Sequence, residues 1–180
     1  MTSLFAALAW VGTSAVLTGG PDDAAKSAPK LGDPIGKLAF KDIRYVPRSL
    51  DDFRSSKTIV LLFTTTKCPI AQRYLPALKR LDADYRERGV QFVAVNVGPD
   101  DTITDMAEQA VRHGVEFPFV KDLDGSCVRA TGVTRTPEVI VLDADRRLRY
   151  RGRIDDQYRL GGARDTATRN DLKDAIRQRR

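Results

Sequence analysis

Cys68 stands where a strand hands over to a helix, a place that makes a thiol nucleophilic. Residues 58–63 form a short, uncharged, β-branched run that reads as a buried central strand. Three threonines and Lys67 follow, and Pro69 opens a helical pattern. Proline suits the first helical position because the N–H it lacks would be unpaired there anyway. The partial positive charge of that helix terminus favours a thiolate, and Lys67 and Arg73 add to it. A sulfur so placed attacks a disulfide or a peroxide.

The other chemistry-bearing residues are sparse. Cys127, 59 residues on, lies in the helical run 125–131. It reads either as a small buried hydrophobe or as a thiol that resolves an adduct on Cys68, for which the two Cα atoms must come within roughly 7 Å. A single histidine, His113, rules out a multi-histidine metal site and reads as a helix-end residue before Gly114. Asp143, Asp145, Asp155 and Asp156 match no calcium loop and read as solvated turns. Gly161-Gly162 lacks the strand–helix context of a phosphate loop. No cofactor and no metal is indicated.

The elements around Cys68 follow from periodicity. Ile70, Tyr74, Leu78, Leu81 and Tyr85 share one helical face, Pro76 falls inside that helix, and Gly89 closes it. Residues 90–97 give a second buried strand, parallel to the first because a crossover helix joins them. Two short strands are expected at 38–40 and 43–46, with a capped turn at 49–53. Downstream come a helix from Asp101-Thr102 to His113, an extended piece at 116–121 and a short helix at 125–131. Strands at 138–142 and 148–153, joined by a turn at 143–146, form an antiparallel hairpin on a parallel core. A helix at 171–180 ends the chain. The pattern predicts an α/β sandwich of three layers, a mixed central sheet flanked by helices.

Composition sets the outer bounds. The chain has 180 residues, 42% hydrophobic and 30% charged, enough for one domain with a real core. Residues 1–20 carry no charge and read as a signal peptide or membrane anchor, although no basic residue precedes the apolar stretch. Residues 21–37 read as a linker and 38–180 as the folded domain. The net charge of +6 sits in the C-terminal part, where residues 146–180 hold 12 basic against 5 acidic groups. No aromatic interleaving accompanies them, so this is a solvated basic tail and no nucleic-acid partner is expected.

In order and spacing, residues 38–176 resemble the thioredoxin-like superfamily, in its redoxin (AhpC/TSA-like) branch of bacterial extracytoplasmic proteins. The likeness rests on the strand leading into Cys68-Pro69, on Pro76 eight residues later, on Thr136-Pro137 before a strand, and on the stretch 150–158. It implies a three-layer thioredoxin fold and a cis peptide at Thr136-Pro137 beside Cys68. It also implies a thiol–disulfide protein or small-molecule thiol reductant as partner, with peroxide as the other substrate class.

The departures leave several readings open. Ala71 stands where thioredoxins carry a second cysteine, and Leu62 where they bury an aspartate. Thr65 fits the peroxiredoxin threonine, but Leu61 replaces that family's proline and Arg135 is the nearest substitute for its arginine. The leading expectation is a thiol-dependent oxidoreductase that uses Cys68 alone and is resolved by an external thiol or by Cys127. A peroxidase using Cys68, Thr65 and Arg135 is the second. A non-catalytic module engaging a partner or a soft metal is the third, though with no His or Met beside Cys68 the copper case is weak.

Overall fold

The computed structural model describes residues 27–159 and 161–178, so the apolar leader at 1–20 lies outside the described residues. Strand β3 (Thr58–Thr64) is buried at every position, as an uninterrupted apolar run requires. It pairs in parallel with β4 (Val90–Asn96) on one side and antiparallel with β6 (Glu138–Asp143) on the other. The sheet extends outward through β5 (Phe119–Lys121), β1 (Ala39–Asp42) and β2 (Pro47–Ser49) at one edge and through β7 (Leu148–Gly152) at the other. Its order is β2-β1-β5-β4-β3-β6-β7. The mixed sheet with a closing antiparallel hairpin is the one expected from the sequence.

Alternation along β3 divides the core in two. Val60 and Leu62 pack with Tyr74, Leu75 and Leu78 of α1 (Pro69–Arg86), Met106 of α2 (Ile103–His113), and Leu172 and Ile176 of α4 (Asp171–Arg177). Ile59, Leu61 and Phe63 pack on the opposite face with Leu38, Phe40, Phe53, Leu148 and Cys127 of α3 (Ser126–Thr131). These are the three layers. Each fully buried aliphatic or aromatic side chain contributes roughly 1.5–3 kcal/mol by removal from water. Strand β3 is thereby fixed from both faces, and Cys68 follows four residues after its end.

Three local readings are corrected. Residues 43–46, expected as a strand, form the turn between β1 and β2, with Tyr45 at φ 64°. The cause is Asp42, whose carboxylate accepts the N–H groups of Arg44 (2.8 Å) and Val46 (3.0 Å) and so wraps the chain round itself. Residues 30–37, read as part of a linker, line the open edge of β7. Gly32 N–H donates to the Leu148 carbonyl (2.7 Å), Ile35 N–H to that of Arg146 (2.8 Å), and Ile35 is buried. The terminal helix is seen only from Asp171 to Arg177.

Burial alone would raise the carboxyls of Asp42 and Asp143. Their hydrogen bonds, to the backbone of Val46 and Arg44 and to the backbone of Arg147 and side chain of Arg149 respectively, outweigh it and hold both below the usual range. Native carboxyls held low bind fewer protons than the unfolded chain's, so their stabilisation is complete above the unfolded value of about 3.9. It is lost as pH falls through the native values. The melting temperature should therefore be flat down to about pH 5 and fall steeply below about pH 4. A calorimetric pH series that showed no acid limb would contradict this.

Candidate active site

Cys68 is the N-cap of α1, with extended backbone (φ −82°, ψ 108°), and is half-buried. Its sulfur accepts the Ala71 N–H at 3.4 Å. That N–H is one of the orphan donors at the head of any helix, and aimed at sulfur it stabilises negative charge there. The thiol in turn donates to the Thr136 carbonyl at 3.6 Å. Thr136-Pro137 is cis, as the resemblance implied, and brings that carbonyl from the start of β6 to the sulfur. Cys68, Thr136 and Pro137 therefore meet.

The other expected members do not gather as closely. Thr65 takes part through its backbone, its carbonyl accepting the Cys68 N–H at 3.4 Å. Among the described contacts its hydroxyl makes no hydrogen bond to the sulfur. Arg135 is exposed, with no ion pair or hydrogen bond among the described residues.

A buried polar group that was not anticipated holds the loop leading into Cys68. Asp101, 6% exposed, accepts the Thr66 N–H (2.7 Å), the Thr66 hydroxyl (2.5 Å) and the Asn96 side-chain amide (2.7 Å). On the other side of the loop, Gln72 of α1 donates to the Thr66 carbonyl at 2.5 Å. Lys121, buried at the end of β5, donates to Asn96 Oδ1 (2.9 Å) and to the Gly98 carbonyl. Burial pushes the Lys121 ammonium below its ordinary value, opposed by the charges of Asp101, Asp122 and Asp100. Burial alone would raise Asp101, but its bonds to the side chain and backbone of Thr66 and to Asn96, with Lys121 nearby, hold it low. Asp101 read in the sequence as the start of a helix. Its real role depends on the β3 and β4 loops lying side by side, which no local pattern announces.

Cys127 is fully buried on the opposite face of the sheet from α1, and neither cysteine is in a disulfide. Burial, reinforced by the charge of Asp122, pushes its thiol up to about 12, and its proton is shared with the Ala39 carbonyl (3.7 Å). A thiol so held packs as a hydrophobe and supplies little thiolate for exchange. Cys127→Ala should cost about 1–2 kcal/mol of stability through the void it leaves. Disulfide exchange carried by Cys68 should change by less than about two-fold. A collapse of exchange in a folded Cys127→Ala protein would restore the resolving role.

Asp155 and Asp156 are structural clamps rather than a solvated turn. Asp155 accepts the Tyr74 hydroxyl of α1 and the Gln157 N–H (2.8 Å). Buried Asp156 accepts Arg164, the N–H and hydroxyl of Thr168 (2.7 and 2.6 Å) and the Arg169 N–H (2.9 Å). They secure a small hairpin, β8 (Tyr158–Arg159) and β9 (Gly162–Ala163), whose Tyr158 ring meets Tyr74 edge-on at 4.9 Å. Among the described residues no group of three or more His, Cys, Asp or Glu is placed to hold a metal ion.

Comparison with known proteins bears on the family and the fold. Residues 31–168 match the family model described as Redoxin. A thiol-disulfide oxidoreductase ResA of Geobacillus thermodenitrificans is 31% identical over 119 residues, 66% of this chain and 66% of that protein. The ResA of Halalkalibacterium halodurans is 27% identical over 121 residues, 67% of this chain and 66% of its own. The match thus spans just under two thirds of the length of these curated relatives. A hypothetical protein of Sinorhizobium meliloti superposes with a TM-score of 0.70 at 27% identity, covering 77% of this chain and 79% of that one. The thioredoxin domain of a thiol-disulfide oxidoreductase from Bacteroides vulgatus gives 0.65 at 14% identity, covering 84% and 98%, a likeness of fold.

Proposed function

The chain belongs to the redoxin family, and on that premise we propose that it is a thiol–disulfide oxidoreductase whose only working thiol is Cys68. The observation that carries the reading is the contrast between the two thiols. Cys68 is accessible, capped by the Ala71 N–H and set against the Thr136 carbonyl, whereas Cys127 is sealed in the core. Cys68 sulfur attacks one sulfur of a substrate disulfide, forms a mixed disulfide and releases the other sulfur as a thiolate. With Ala71 where a second cysteine would sit, an external thiol completes the cycle. The names of the ResA relatives support thiol–disulfide chemistry over peroxide reduction, and the unengaged hydroxyl of Thr65 points the same way. Thr136 and Pro137 would border the bound disulfide, with Thr65 and Arg135 at the margin.

The uncharged segment at 1–20 supports an extracytoplasmic setting, through a signal or a tether. No helix among the described residues is long and apolar enough to cross a membrane. The test is a side-by-side assay of the purified protein on a protein disulfide, with added low-molecular-weight thiol, and on hydrogen peroxide. Thiol-dependent disulfide reduction without rapid peroxide consumption is expected. Rapid peroxide turnover with no disulfide exchange would replace this reading by the peroxidase.

A further inference from the structure

The Thr136 carbonyl that meets the Cys68 sulfur belongs to an irregular loop, residues 132–137, between α3 and β6. Such a loop keeps a carbonyl in place only if its own polar groups are tied down. Among the described residues, no backbone–backbone hydrogen bond involves residues 133–137. Side chains do the tying instead. Buried Val133 anchors the start of the loop in the layer beside α3. Arg151 of β7 donates to the Thr131 carbonyl (3.0 Å) just before the loop, and to the Pro29 carbonyl (3.1 Å). At the other end stands Glu138, the first residue of β6, whose carboxylate accepts the Thr134 N–H at 2.9 Å. That bond closes a ring of backbone round Arg135, Thr136 and Pro137.

Glu138 is 6% exposed and is in no ion pair among the described residues. A buried carboxylate without a countercharge is rare and costs stability. In return, a carboxylate holds an N–H more firmly than a neutral acceptor does. Glu138 shares its side of β6 with Ile140 and Leu142 and pairs with Phe63, all in the layer that contains α3. Helix α1, which Cys68 caps, packs on the opposite face. Glu138 therefore acts on the loop and not on the sulfur.

We propose that Glu138 is a positioning residue for disulfide exchange: by pinning Thr134 it fixes the Thr136-Pro137 wall against which the chain flanking a target disulfide must lie. The proposal rests on the reading of Cys68 as a thiol that attacks disulfides bordered by Thr136 and Pro137. Glu138 makes and breaks no bond in the reaction. It governs how well a polypeptide disulfide is presented to Cys68, and leaves the sulfur's own reactivity alone.

The experiment compares the full chain with Glu138→Leu, which fills the space without an acceptor, and Glu138→Gln, which keeps one. Each is assayed for reduction of insulin disulfides with added dithiothreitol, above the rate of dithiothreitol alone, and for alkylation of Cys68 by iodoacetamide, a probe too small to need the wall. In Glu138→Leu, kcat/KM for insulin should fall about ten-fold through misplacement of the wall. Glu138→Gln should restore it to within about two-fold, and alkylation should change by less than about two-fold in both. Arg151→Met, which frees the other end of the loop, should repeat the leucine pattern and serves if the leucine variant does not fold. Insulin reduction unchanged in a folded leucine or methionine variant would overturn the proposal while leaving Cys68 as the working thiol. A glutamine variant as slow as the leucine one, or alkylation lost in step with insulin reduction, would overturn it as well. No exchange with insulin in the unaltered chain, with Cys68 still alkylated, would overturn the functional reading itself and the role of Glu138 with it.

Discussion

Cys68→Ser should lower thiol–disulfide exchange by about a thousand-fold or more, since it removes the attacking group itself. A hydroxyl forms no mixed disulfide, and Cys127 offers no substitute, because its thiol is buried and pushed up to about 12. The substitution is nearly isosteric at a half-buried N-cap, and serine is itself a favoured cap. The melting temperature should therefore hold or rise slightly. That combination separates chemistry from folding: a stable protein without exchange. Exchange retained at more than about a tenth in the serine variant would mean that another thiol is doing the work.

Asp101→Ala should be the most damaging change remote from the sulfur. It strips partners from the Thr66 N–H, the Thr66 hydroxyl and the Asn96 amide, and removes one of the three carboxylates, with Asp122 and Asp100, whose charges support buried Lys121. Breaking a buried charged network by removing one member costs about 3–5 kcal/mol, or roughly 10 °C of melting temperature for a chain of this size. Asp101→Asn keeps the shape and one acceptor, so roughly half the loss is expected. At temperatures where each variant is folded, the freed loop should also slow Cys68 attack by about ten- to a hundred-fold through misplacement of the sulfur. Activity in the asparagine variant should return part of the way. Equal rates in all three proteins would reduce Asp101 to a purely structural residue.

The parts of the site that the sequence revealed were those made by neighbours along the chain. The run 58–63, Cys68 and Pro69 specify a strand, a cap and a first helical turn locally. Thr136-Pro137 was read through its family likeness and stands against the sulfur as that likeness implied. What stayed hidden was made by groups meeting across the fold. Asp101 reads as an ordinary helix start until β3 and β4 bring it beneath Thr66. Asp155 and Asp156 look solvated until Tyr74 of α1 meets the first and Arg164, Thr168 and Arg169 close on the second. Asp42, by contrast, turns an apolar-looking segment into a tight turn by capturing the N–H groups two and four residues on, a local side-chain-to-backbone capture that overrides strand propensity. Cys127 illustrates the reverse case: the sequence favours a small buried hydrophobe over a resolving thiol, and the side chain lies fully buried in the core.

The most direct test is peptide mapping by mass spectrometry after brief exposure of the full chain to a model disulfide. The expected product is a single adduct on Cys68, removed by added thiol, with Cys127 unmodified and no peptide joining Cys68 to Cys127. A Cys68–Cys127 disulfide, or an adduct carried mainly by Cys127, would contradict a lone-thiol mechanism.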